Sequence, residues 1–412
     1  MRRVSSPTFV GRAEQLAAFD SALARAAGGR PGVLLLAGES GVGKTRLVGE
    51  LARRALERDA RVLTGDCVEL GEGELPYAPL AAALREVGLT LPLDSDEVAD
   101  LERFSQSRLF ERLLALLAEL SDERPLVLVV EDLHWADRST RDFLAFLSRA
   151  LRQERLLLVV TYRSDELHRR HPLRPLLAEL ERLERVERLD LTRFSRGELV
   201  AQLTGILGAR PDARLVEELW ERAEGNAFFT EELLAAGETA DARALPETLR
   251  DALMVRVERL PEGAQRVVRV AAASGRGVSH PLLGEVAGLE GSELLGSVRE
   301  AVGQHVLVQR DGQGYGFRHA LIREAVYDDL LPGERGELHL RLAEALARDP
   351  SLSAEVTGAQ AELAWHWRQA HDLPRALRAS VAAAADARRL QAPAEAARHL
   401  DGALELWDRV DG

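Results

Sequence analysis

The residues Gly38-Glu-Ser-Gly-Val-Gly-Lys-Thr45 place three glycines, a lysine and a hydroxyl in the order G-x-x-x-x-G-K-[ST]. Such a segment wraps a polyphosphate. Glycines 38, 41 and 43 let the backbone N–H groups of Gly38, Glu39, Ser40, Gly41, Val42 and Gly43 curl around the phosphate oxygens. Lys44 is expected to bridge the β- and γ-phosphates, Thr45 to place its hydroxyl on magnesium, and Arg46 to follow them along the same helix. Lys44 is the one lysine among 54 basic residues, all others being arginine. A guanidinium fork cannot replace the compact ammonium that fits inside a phosphate-wrapping loop, so the single lysine stands where arginine would fail.

A second group of candidates follows. Pro-Leu-Val-Leu-Val-Val-Glu131-Asp132 reads as a buried strand ending in two carboxylates. In a parallel sheet, ligands bind beyond the carboxyl ends of the strands, which puts Glu131 and Asp132 beside the phosphate loop. One would hold the water shell of a magnesium ion and the other would orient a water toward the γ-phosphate; the sequence leaves open which does which. Val160-Thr-Tyr-Arg163 ends a further strand, and Arg163 is expected to face the γ-phosphate.

The elements that position these groups alternate. Apolar runs at 32–37, 61–66, 125–130 and 156–161 read as strands, with helices at 44–58, 107–120 and 139–152 between them and a last strand at 186–191. That alternation predicts a parallel α/β sheet. Beyond it the strands stop. Residues 195–236 read as short helices and residues 246–303 as about four more. Strands at 305–310 and 315–318, turning at Asp311-Gly-Gln-Gly314, predict a hairpin before a helix at 319–331. Helices closed by one hairpin look like a winged helix. From 336 the chain is Ala-rich, with helices at 361–370, 375–390 and 394–410 resembling stacked tetratricopeptide repeats, whose core takes Trp365 and Trp367. The predicted class is thus α/β, an AAA-like P-loop sheet over 1–192. An all-α lid over 193–243, a winged-helix-like module over 244–335 and the start of a helical array over 336–412 follow it.

Bulk properties limit the functions. A length of 412 residues implies two to four domains. The net charge of −13 argues against a general affinity for nucleic acid or an anionic membrane. The single Cys67 excludes a disulfide framework and suits a reducing cytoplasm. No apolar run approaches the ~18 residues of a membrane span, and the first residues lack the apolar stretch of a signal peptide.

Together these motifs resemble the STAND class of P-loop ATPases, and more narrowly the ATPase modules of large LuxR-type transcriptional regulators. The resemblance rests on Phe9-Val-Gly-Arg12, residues 38–45, the heptad Glu131-Asp-Leu-His-Trp-Ala-Asp137, Thr161-Tyr-Arg163, Gly225-Asn-Ala-Phe-Phe229 and Phe317-Arg-His-Ala-Leu321. It implies ATP or ADP with magnesium as ligand, and Val10, Gly11 and Arg12 packing near adenine. It also implies a lid contact at 225–229, where Ala227 replaces the usual proline, and His319 touching the β-phosphate. Glu131, Asp132 and Arg163 would serve a weak hydrolytic activity. It further implies a switch whose nucleotide state controls self-association, and an effector, protein or small molecule, on the helical array. Such regulators usually end in a helix-turn-helix domain, expected beyond residue 412 if present. The segment 244–335 carries 11 Arg against 13 acidic residues, a balance poorly suited to DNA phosphates, so no direct DNA contact is expected of it. Two other functions fit a phosphate loop: a small-molecule kinase, for which no second constellation with its own base is visible, and a scaffold holding a structural nucleotide.

Overall fold

A computed structural model describes residues 5–67, 76–92, 106–237, 249–275, 277–310, 314–353, 359–407 and 409–410. The expected hairpin turn at 311–313 and the segment 238–248, where the lid was expected to end, lie outside the described residues.

The first layer begins with α1 (Ala13–Ala27), β1 (Gly32–Gly38), α2 (Lys44–Glu57), β2 (Arg61–Asp66), α3 (Ala78–Arg85) and α4 (Gln106–Glu123). It continues with β3 (Leu126–Glu131), α5 (Arg138–Ala150), β4 (Leu156–Arg163), α6 (Leu173–Leu180) and β5 (Val186–Leu191). The strands form one parallel sheet in the order β2-β3-β4-β1-β5. Strands β1, β3 and β4 are buried along their whole length because helices cover both faces. Alternation then sends Val33 and Leu35 to one core and Leu34 and Leu36 to the other. The register aligns the carboxyl ends: Gly38 lies opposite Arg163 and Leu191, and Asp66 opposite Glu131. Side chains far apart in sequence therefore meet along one edge.

Helices α7 (Arg196–Leu207), α8 (Ala213–Ala223) and α9 (Ala227–Gly237) follow. Ser195 and Glu198 close a capping box at the start of α7. Next come α10 (Leu249–Glu258), α11 (Glu262–Ser274), β6 (Val278–Ser279), α12 (His280–Ala287) and α13 (Gly291–Gly303). Then β7 (Leu307–Arg310), β8 (Gly314–Phe317) and α14 (Ala320–Asp329) complete this part. The expected hairpin is present, but β6 adds a third, antiparallel strand in the order β6-β8-β7. Two residues are too few to show an alternation in sequence.

Helices α15 (Pro332–Arg348), α16 (Ala359–Gln369), α17 (Leu373–Arg389) and α18 (Pro393–Trp407) stack in sequence order. The helix read at 319–331 ends at Asp329, because Pro332 occupies the first turn of α15 and extends the residues before it. Trp367 is buried in this stack, as expected, and Trp365 lies edge-on to His339. The stack turns back to the sheet layer. Ala387, Ala392 and Ala396 share a core with β1, β3 and β4. At that joint Glu395, 1% exposed, accepts hydrogen bonds from Ser139 N at 3.0 Å and from the Ser139 hydroxyl, at the first turn of α5. Among the described residues no helix is long and apolar enough to cross a membrane.

Candidate functional site

The carboxyl edge of the sheet, α9 and the start of α14 enclose a cavity of about 420 Å³. Val10, Arg12, Ser40, Gly41, Val42, Gly43, Lys44, Thr45, Arg46, Glu131, Asp132, Arg163 and His319 all line it. Gly11, Gly38 and Glu39 lie behind that wall. Gly11 faces Glu198 of α7, and the side chain of Glu39 turns outward to Arg193 at 2.8 Å.

The phosphate loop is shaped by backbone that side chains resist. Gly43 has φ 102° and Gly41 φ 78°, and a Cβ on Gly41 would stand 2.7 Å from Asn226 Oδ1. Its carbonyls face the lid: Asn226 Nδ2 donates to Ser40 O at 2.9 Å and Phe228 N to Gly41 O at 3.0 Å. The segment 225–229 thus grips the loop from outside, despite Ala227. Lys44 is 7% exposed and its Nζ donates to Gly38 O at 2.8 Å and Glu39 O at 2.9 Å. Burial lowers its pKa, with Asp132 opposing. The ammonium is thus held against the start of the loop by two of its carbonyls.

At the strand ends, burial and then Asp66 and Asp132 push the Glu131 carboxyl up to about 8, while the hydroxyl of Thr45 and the charge of Lys44 oppose this. Asp132 is raised by burial, with Arg163 and Lys44 opposing. Its backbone adopts φ 55° and its N–H donates to Thr161 Oγ1 at 2.9 Å, fixing the turn after β3. This donor set suits a hard divalent cation. Buried carboxyls crowded beside one another and a hydroxyl gain from a positive charge, and oxygen donors suit magnesium. Among the described residues no group of three or more His, Cys, Asp or Glu is placed to hold a metal ion by itself.

Arg163 is 4% exposed. Its guanidinium pairs with Glu166 and, at 3.2 Å, with Glu324 of α14, and lies 4.5 Å from the ring centre of Trp135. The Arg163 N–H points at His134 Nδ1 at 3.4 Å; burial, then the charge of Arg163, pushes this imidazole down to about 2. His319 stacks on Phe228 with centroids 3.9 Å apart and its Nδ1 accepts from Leu321 N at 3.3 Å, which leaves the ring proton on Nε2. Burial and the charges of Arg163 and Lys44 push it down to about 3, so the ring is neutral. It caps α14 and lines the cavity at once.

Arg12 donates to Thr192 O at 2.7 Å and Val42 O at 3.0 Å and lies over Phe194, tying the opening segment to the loop. Arg46 reaches Ser6 O and Thr8 O and lies 3.6 Å from Glu231. Sequence reasoning missed several lining residues. Asp66 was findable, since it ends a strand beside β3. Gln202 and Glu231 gave no signal, being ordinary polar residues on helices. Arg318 bridges Ser5 and Glu231, and Arg310 lies 3.6 Å from Asp66, so the part after α9 touches the sheet edge directly.

Residues 8–160 match the AAA ATPase domain family. An uncharacterized protein of Rhizobium meliloti (strain 1021) is 27% identical over 93% of this chain, which spans only 41% of that protein's length. The crystal structure of a signal transduction ATPase with numerous domains (STAND), bearing a tetratricopeptide repeat sensor, from Pyrococcus horikoshii superposes with a TM-score of 0.52. It is 15% identical, covering 99% of this chain and 66% of the other, and shows the fold. Residues 8–160 are thus similar to AAA ATPase domains, and the chain shares the fold of that STAND structure, helical C-terminal region included.

Proposed function

We propose that this chain is a nucleotide-operated switch that binds ATP or ADP with magnesium, hydrolyses slowly, and changes its self-association with nucleotide state. The observation that carries the reading is the Arg163–Glu324 pair. The arginine expected to sense the γ-phosphate is held by an acid from α14, an element outside the sheet, so an incoming γ-phosphate competes with that acid for one guanidinium. Contacts that differ between two nucleotides can shift two states, and nothing else can.

In this reading Lys44 and the loop amides hold the phosphates, and Thr45 with Glu131 holds magnesium, since both line the cavity beside Lys44. A magnesium ion there would neutralise phosphate charge. Asp132, beside Arg163 and Lys44, orients the attacking water and accepts its proton. His319 offers its Nε2–H to the β-phosphate of ADP and keeps the closed state. The units are 1–192, 193–243, a winged-helix-like 244–335, and a tetratricopeptide-like array over 336–412 that takes the effector. The output is transcriptional, in the manner of LuxR-type regulators, with no DNA contact from 244–335.

The test measures mass by light scattering and turnover by phosphate release, with ADP, ATP and a non-hydrolysable ATP analogue. Self-association with the triphosphates alone, and turnover below about one per minute, are expected. Fast steady hydrolysis by a monomer in every nucleotide would overturn the reading, as would a His319→Ala variant that gains no self-association.

A further inference from the structure

Gln202 lies on α7, is 2% exposed, and forms part of the cavity wall. Its amide is locked in one orientation. Nε2 donates to Ala227 O at 2.9 Å and to Glu231 Oε1 at 3.3 Å, both acceptors, so turning the amide over would set oxygen against oxygen. Its Oε1 is buried and has no hydrogen-bond partner among the described residues. Such an acceptor carries the desolvation cost of a lost hydrogen bond. A ligand that brings an N–H to this wall recovers it.

The place of this acceptor narrows the ligand. Lys44, Thr45 and Glu131 mark the phosphate end. Gln202 instead sits by α9 and the opening segment, where Phe9, Val10 and Phe194 line the cavity with apolar surface suited to a flat base. Glu231, the neighbouring acid, is already engaged by Ser5, Arg318 and Arg46. An adenine presents an exocyclic amino group, a donor; guanine and hypoxanthine present a carbonyl at the same ring position. A carbonyl would leave Gln202 Oε1 unpaired and add a second buried acceptor facing it.

We infer that Gln202 is the base-selecting residue of this site, accepting a hydrogen bond from the 6-amino group of adenine and excluding 6-oxopurines. This rests on the phosphate-loop reading, and its test separates the two. Calorimetry on the full chain with magnesium would compare ADP with inosine diphosphate, which differs by that amino-to-carbonyl exchange. The parent should bind ADP at least roughly tenfold more tightly. Gln202→Met, near in volume and without either polar atom, should lose most of that ratio by weakening ADP rather than inosine diphosphate. Equal affinities in the parent would overturn the assignment while leaving the phosphate loop standing, and so would a ratio unchanged in Gln202→Met. Binding of neither ligand to the parent would instead remove the phosphate-loop reading. Because the methionine variant loses its bond to Ala227 O, its fold is checked by circular dichroism. Purine riboside diphosphate, which lacks the amino group altogether, tests the unaltered parent: binding as tight as ADP would overturn the assignment without any variant.

Discussion

Glu395→Ala tests how the helical stack is held to the nucleotide-binding layer. The substitution removes both acceptors for Ser139 N and Ser139 Oγ at the first turn of α5. Each buried group left unpaired costs about 1–3 kcal/mol. Part of this returns, because a second carboxyl no longer stands beside the buried Asp137. A net loss of about 2 kcal/mol corresponds to roughly thirtyfold easier local opening. Hydrogen exchange read by mass spectrometry at 138–142 and across α18 measures that factor directly. The same joint has a pH dependence. Asp137 is pushed from 3.8 up to about 7, by burial first and by Glu395 second. The folded protein therefore keeps a proton there that the unfolded chain gives up, so stability from this group falls as pH rises from about 4 to about 7 and is lost above it. Glu395→Gln removes the second cause yet keeps an acceptor for Ser139 N–H. At pH 8 it should open no more readily than the parent, and far less readily than Glu395→Ala. Exchange in α5 that is the same in parent and Glu395→Ala at pH 5 and pH 8 would refute the reasoning.

Other outcomes follow from the site and the sheet. Lys44→Ala should weaken nucleotide binding at least about a hundredfold by calorimetry, because a charge-assisted phosphate contact is lost, while circular dichroism stays unchanged. Replacing Glu131 by Gln together with Asp132 by Asn should leave nucleotide affinity within roughly tenfold and abolish phosphate release, since acceptor geometry survives and charge does not. Gly65→Ala should lower the melting temperature or prevent folding. Its Cβ would stand 1.9 Å from Pro79 O, and forcing β2 from α3 costs about 1–3 kcal/mol or more.

The local chemistry was legible in the sequence. A glycine-rich loop between an apolar run and a helix has one geometry, so residues 38–45 identified their own conformation. Strands buried on both faces announce themselves by continuous apolar runs, which is why β1, β3 and β4 could be read and the amphipathic α3 and α6, short and between loops, could not. Strand order and register needed the folded chain. They pair Asp66 with Glu131 and Gly38 with Arg163, and no spacing in sequence encodes those pairings. The partners from distant helices were equally hidden. Glu324 on Arg163, Phe228 under His319, Gln202 against Ala227 and Glu395 on Ser139 are single polar or aromatic residues on ordinary helices. Their meaning arises only when packing removes water around them, because burial turns a common hydrogen bond into a costly one to lose.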